Sequence, residues 1–401
     1  MKGEMFRDRN GKSYLVPFML VASLFFLWGV AHSILDVLNK HFQDVLVISK
    51  ARSGLVQAMV YGGYFLMALP AGKIIRKWGY RAGIVTGLLL YGIGALMFIP
   101  GGRMMSFPFF LLCLFVIGCG LTCLETSANP YITVLGDRHG AARRLNLAQS
   151  LNGLGWIIGP LLGGLLILGD DSDIAMPYAV IGMVVVVLGL VFSRLRLPSP
   201  DTAGAAAPDG RTHGSVWKVR TFRYGVPVLL LYVAAQTGIN SFFINYVMEA
   251  SPGITARTAA LMLSFGGMGL FMLGRLLGTA LMRKSPPRKL MVACSAGAII
   301  CMALTIACAG TAGIVALCLT YLFESVMFPT IFSMALTDIR GDGTKTASSY
   351  LVMSIVGGAV SPVLMGLIGE TSMALGFILP LLCFIGVGAY AVVYKKLRLN
   401  V

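Results

Sequence analysis

The sequence predicts an all-α membrane protein of twelve transmembrane helices in two six-helix bundles. Three observations carry that reading. Of 401 residues, 57% are hydrophobic and 12% charged, which leaves no polar coat for a soluble fold. At about 20 apolar residues per helical crossing, plus short loops, this length allows about twelve crossings. One long polar stretch, Leu197 to Arg223, divides the apolar runs into two groups of six. The same arithmetic excludes disorder, collagen and secreted disulfide scaffolds.

The first run, 14–39, lacks a small-residue cleavage site and reads as a retained span rather than a signal peptide. It carries Trp28, then His32, Ser33, Asp36 and Asn39, whose spacing places them on one helix face. The second, 53–75, offers Gln57, Tyr61 and Tyr64, and the third spans 82–100. In the fourth, 107–135, Thr122, Glu125 and Asn129 share a face, while Gly118, Gly120 and Ala128 permit close packing. The fifth, 145–168, aligns Asn146, Gln149, Asn152 and Trp156. The sixth, 175–194, closes an N-terminal bundle over 1–196.

A linker follows at 197–223, and its Pro, Gly, Ala and Asp content predicts flexibility. The C-terminal bundle, 224–401, opens with a seventh helix, 224–248, bearing Gln236, Asn240, Ser241 and Asn245. The eighth, 255–282, holds Arg275; the ninth spans 289–308; the tenth, 313–337, holds Glu324. The eleventh, 347–368, presents Tyr350, Ser354 and Ser361, and the twelfth spans 374–394.

Internal repeats support two related halves. Glu125 precedes Pro130 by five residues, as Glu324 precedes Pro329. Gly155–Pro160 matches Gly357–Pro362, and GKIIRKWGYR from Gly72 pairs with GTALMRKSPPR from Gly278. Halves of this kind build many secondary transporters.

The net charge of +16 comes from short basic clusters between apolar runs. That is the positive-inside pattern, not a phosphate-binding stripe, so no nucleic-acid partner is expected. With the N-terminus cytoplasmic, inside-facing segments hold 26 of 32 Lys and Arg, and outside-facing loops five. Both termini are therefore expected in the cytoplasm of a bacterial-type inner membrane. All eight cysteines lie in apolar runs without a metal-ligand pattern. No H-E-x-x-H, G-x-S-x-G or phosphate-binding loop occurs, so the expectation is a transporter rather than an enzyme, with no metal and no cofactor.

Thirteen of sixteen acidic residues lie in loops, tails or helix ends; Asp36, Glu125 and Glu324 do not. A carboxylate inside the bilayer costs several kcal/mol unless it faces a cavity or a partner. Desolvation favours the neutral form, which is the physical basis of proton coupling. Converging amides, hydroxyls and aromatic rings suit a neutral, polyhydroxylated ligand with an apolar face. The expected sugar-binding residues are Gln149, Asn152, Asn129, His32, Ser33, Gln236, Asn240, Glu324 and Trp156. Each has an alternative role: amides serve as interhelical glue, Trp as packing, and Glu324 as a protonated helix–helix contact. Arg275 is expected to snorkel or pair. His32, one turn from Asp36, is an equally good proton relay or a plain hydrogen-bonded histidine.

Several motifs together resemble the fucose:proton symporter family of the major facilitator superfamily. They are LETSANPYITVLG (Leu124–Gly136), RLNLAQSLN (Arg144–Asn152), YFLMALPAGKIIRKWGYRAGI (Tyr64–Ile84), AAQTG (Ala234–Gly238) and FPTIFSMAL (Phe328–Leu336). The resemblance covers all twelve helices and implies the major facilitator fold, alternating access around a central sugar site, and cation-coupled monosaccharide uptake. It implies that Asp36, in AHSILD, and Glu125, in LETSANP, are the proton-linked pair. Glu125 leans the reading toward the fucose-like branch, since glucose/galactose members tend to carry Gln there. Three departures stand out. His32, Ser33, Ile34 and Leu35 replace an Asn-rich stretch, Glu324 replaces a neutral residue, and Arg76 replaces the Asp of a superfamily loop.

The expected function is proton-coupled import of L-fucose or a related sugar by a monomer. The rivals are a sodium-coupled glucose/galactose-type symporter, an exporter of drugs or metabolites, and a sugar-sensing receptor.

Overall fold

The computed structural model describes residues 13–135, 141–168, 175–195, 216–282, 285–339, 347 and 350–399. Most of the expected linker, residues 1–12, Asn400, Val401 and the basic residues Arg138, Arg283, Lys284, Arg340 and Lys345 lie outside them, as do the side chains of Arg76, Pro130, Arg143 and Asn146.

Among the described residues, eleven helices are long and apolar enough to cross a membrane. They are α1 (Leu15–Val45), α2 (Lys50–Ile75), α3 (Lys77–Met104), α4 (Phe107–Asn129), α6 (Ala175–Arg194), α7 (Arg220–Ala250), α8 (Ala256–Gly278), α9 (Pro287–Ala307), α10 (Thr311–Leu336), α11 (Tyr350–Ile368) and α12 (Met373–Arg398). The fifth helix of the chain, α5 (Ala141–Leu166), completes twelve. Its Arg143, Arg144, Asn146, Gln149 and Asn152 make it more polar than the rest. The helical run through α2 and α3 is broken at Gly79, whose φ of 81° and ψ of 173° are open to glycine and not to most residues.

Two compact units emerge: 1–38 with 59–205, and 39–58 with 206–401. In the first, helices meet through small residues. A side chain at Gly155 would run into the backbone of Phe26, Val30 and Gly29, which is how closely α5 lies on α1. Gly118 presses on the backbone of Val60, and Gly120 on Gly87 and Tyr91, so α4 packs tightly against both α2 and α3. With no hydrophobic drive between helices in lipid, such close contact supplies the packing energy.

The second unit repeats these devices. Gly357 of α11 lies on the Leu230 carbonyl of α7, and Gly274 of α8 on the Leu322 carbonyl of α10. At the start of α3, Arg81 donates to the carbonyls of Phe192 (3.2 Å) and Ser193 at the end of α6. At the start of α9, Arg288 donates to those of Ala391 (3.0 Å) and Val392 (2.9 Å) in α12.

The first helix runs six residues past its expected end at 39. Lys40 and Asp44 pair at 2.6 Å one turn apart. Asn39 donates to the Ser241 carbonyl, and Asn245 donates to Gln43 Oε1 at 2.6 Å. The segment 39–58 thus folds onto α7. Lys50 anchors its far end, bonding the Glu249 carboxylate and the Gly369 carbonyl (2.9 Å), while Glu249 Oε2 accepts from Met373 N at 2.7 Å.

Candidate functional site

In the first unit, His32 stands at the centre of a set of rings. Its imidazole is 5.4 Å from Tyr64 and 6.0 Å from Tyr61, both on α2, and 6.0 Å from Trp156 on α5. Trp28, one turn earlier on α1, lies 6.4 Å away edge-on. His32 is 7% exposed, and its Nδ1 is buried without a hydrogen-bond partner. Residues 28–39 of α1 are buried all round, and α2 and α5 both bring rings to His32.

The two acids expected to couple protons lie in this unit. Asp36 is 2% exposed, one turn beyond His32. Glu125 is half-buried on α4, and the Tyr64 hydroxyl lies against it and against Trp28. Tyr64 therefore joins Glu125 to the ring set. Asn129, one turn after Glu125, accepts from Gln149 Nε2 at a long 3.4 Å. Gln149 and Trp156 are half-buried on α5.

Ser33, also expected among the sugar-binding residues, lies in a helix seam. It is fully enclosed, and its hydroxyl donates to the Gly29 carbonyl at 2.9 Å, with the Gly155 carbonyl at 3.2 Å. It joins α1 to α5. Asn152 shares that seam, its Nδ2 donating to the Phe25 carbonyl at 3.0 Å. So the expected polar face of α1 splits: His32 faces the rings, Ser33 faces α5, and Asn39 bonds α7.

In the second unit, Gln236 is half-buried and Asn240 buried on α7, with Asn240 Oδ1 unpartnered. Ser361 of α11 lies against Gly238, and its hydroxyl is also unpartnered. Glu324 is fully buried in α10, with neither carboxyl oxygen hydrogen-bonded. Tyr232 of α7 donates its hydroxyl to the Glu324 backbone carbonyl at 3.0 Å. Sequence reading did not single out Tyr232; its place one turn before Gln236 was the available signal. Arg275 lies over the Phe271 ring at 4.7 Å, a cation–π contact. Among the described residues, no group of three His, Cys, Asp or Glu could hold a metal ion.

Rings beside buried amides and acids can stack a sugar face, pair its hydroxyls and exchange protons. Known proteins share the chain's layout. The model of the Major Facilitator Superfamily matches residues 17–362. The chain is 36% identical to the L-fucose-proton symporter of Escherichia coli (strain K12), over 94% of this chain and 92% of that protein. It is 33% identical to the glucose/galactose transporter of Brucella abortus (strain 2308), over 96% of this chain and 95% of that one. Among solved structures it is similar to FucP of E. coli in the outward conformation, at 34% identity and a TM-score of 0.70, covering 96% of this chain and 99% of FucP.

Proposed function

Since the chain belongs to the Major Facilitator Superfamily, a family of transporters, we propose that it imports a monosaccharide, L-fucose or a close relative, together with a proton. The observation that supports this most strongly is the 36% identity, along nearly the whole chain, to an L-fucose-proton symporter. Buried Asp36 and half-buried Glu125, in the same unit as an aromatic ring set, supply the chemistry for it.

In this reading a proton taken up from outside neutralises Asp36, removing the cost of a bare charge inside the bilayer. The sugar then binds with its apolar face on Trp28, Trp156 or the tyrosines, and its hydroxyls pair with Glu125, Gln149 and Asn129. Glu125 is linked to the rings through Tyr64, so sugar binding and proton release act on the same cluster. The proton leaves inward with the sugar, and the coupling ion is H+ rather than a resident cofactor. The chain acts as a monomer in the inner membrane, both termini in the cytoplasm, as the 26-to-five distribution of basic residues favours.

The similarity to a glucose/galactose transporter at 33% identity favours a second reading, in which the sugar is one of those hexoses; sodium as the coupling ion is the rival raised by the sequence. The test is radiolabelled L-fucose uptake into proteoliposomes under a proton gradient or a sodium gradient, imposed separately. Accumulation under the proton gradient alone is expected. A sodium requirement supports the second reading, and no uptake under either gradient contradicts L-fucose.

A further inference from the structure

The second unit encloses an ionisable group that the coupling scheme above leaves unused. Glu324 lies midway along α10, just before Ser325 and Val326, where the helix is locally irregular although its backbone stays right-handed. Its carboxyl is fully buried, and neither oxygen receives a hydrogen bond. An ionised carboxylate in that setting lacks both water and a counter-charge in contact, at a cost of several kcal/mol. A carboxylic acid does not carry that cost.

The surroundings offer an answer to the charge when it forms. The Tyr232 hydroxyl, on the Glu324 carbonyl at 3.0 Å, lies within electrostatic reach of both the Glu324 carboxyl and the Arg275 guanidinium. Arg275 sits on α8, held over Phe271. The other helices packed on this stretch of α10 add no charge: within its membrane run α9 contributes only the thiols of Cys294 and Cys301, and the second half of α10 has no titratable group. Along α10 itself the titratable neighbours are Cys318 and Tyr321. Arg275 is therefore the one cation among the described residues of this neighbourhood.

We propose that Glu324 is a second proton-carrying carboxyl of this transporter, housed in the second unit and answered through Tyr232 by Arg275 when it ionises. In the enclosed state it holds its proton. When this stretch of α10 opens to water, the carboxyl O–H bond breaks, its electron pair stays on the carboxylate oxygen, and the proton passes to water. Rotation of Glu324 toward Tyr232 and Arg275 then offsets the charge. The role in coupling rests on the proton-symport reading above; the protonation itself does not.

The test is infrared difference spectroscopy of the reconstituted full chain, titrated across neutral pH without sugar. Wild type is expected to show a carboxylic-acid C=O band that fades as pH rises, and Glu324→Gln to lack it. Identical spectra for wild type and Glu324→Gln overturn the proposal. Tyr232→Phe is expected to move the pH at which the band fades, which a packing role would not do, and an unmoved profile overturns the part given to Tyr232. Should Glu324→Gln not fold, Glu324→Asp takes its place. It keeps a carboxyl and is expected to shift the band, and an unshifted band overturns the assignment. In transport, Glu324→Gln is expected to lower the protons carried per sugar; an unchanged ratio overturns the coupling role while leaving sugar uptake intact.

Discussion

Tyr64 meets His32 edge-on, with ring centroids 5.4 Å apart and planes at 87°, and its hydroxyl lies against Glu125. One residue of α2 thus ties the ring set to an acid of α4. Tyr64→Phe keeps the ring contact and removes the polar link. The Tyr64 hydroxyl is buried without a hydrogen-bond partner, so it can take one from a bound sugar; such a bond contributes about 0.5–1.5 kcal/mol, and sugar affinity is expected to fall about two- to tenfold, with the fold intact. Binding titration with L-fucose, beside a thermal melt, checks both halves.

His32 itself fills the space between Trp28, Tyr61, Tyr64 and Trp156. His32→Ala removes the side chain those rings pack on. A cavity of that kind destabilises by about 2–4 kcal/mol. A lower Tm in detergent and weakened sugar binding are expected together.

The seam between α1 and α5 is the tightest in the first unit. A Cβ at Gly155 would lie 2.8 Å from Val30 N and closer still to the Phe26 carbonyl. Gly155→Val is expected to force the helices apart at a cost of about 1–3 kcal/mol or more. Gly62 has nothing within 4 Å of the same position, so Gly62→Ala is expected to leave Tm unchanged. Melting curves of the two variants check the pair.

Arg81 and Arg288 occupy corresponding places in the two halves, each bonding carbonyls of the last helix of its own unit. Removing Arg81 takes a charged donor from two carbonyls at the end of α6, and removing Arg288 takes one from two carbonyls within α12. Arg81→Ala and Arg288→Ala are each expected to cost about 1–3 kcal/mol, without changing which sugar is preferred. Thermal melts and a competition panel of hexoses measure this.

Much of the fold was legible because its signals are local. Apolar runs mark the spans, and repeated elements such as Gly155–Pro160 and Gly357–Pro362 mark the two halves; both glycines indeed lie on a facing carbonyl. The end of α1 was not legible. Lys40, Gln43 and Asp44 read as loop, yet Gln43 is bonded by Asn245 and Lys40 by Asp44, and these contacts carry the helix on to Val45.

The site was legible as a set of polar residues, less so as a geometry. Where a helix is buried on every side, as α1 is from 28 to 39, periodicity cannot say which neighbour each face meets. Ser33 and His32 are adjacent in sequence, and one joins helices while the other sits among rings. Tyr232 escaped notice because an aromatic residue in an apolar run carries no polarity signal, although its hydroxyl reaches the Glu324 carbonyl.

The central claim is that sugar and proton cross together through Asp36. It is tested most directly by recording external pH while L-fucose is added to de-energised proteoliposomes holding the wild-type chain or Asp36→Asn. Alkalinisation on sugar addition is expected with wild type. With Asp36→Asn it is expected to vanish, while labelled sugar still exchanges across the membrane. Sugar entry without alkalinisation in wild type, or undiminished alkalinisation with Asp36→Asn, would contradict the account.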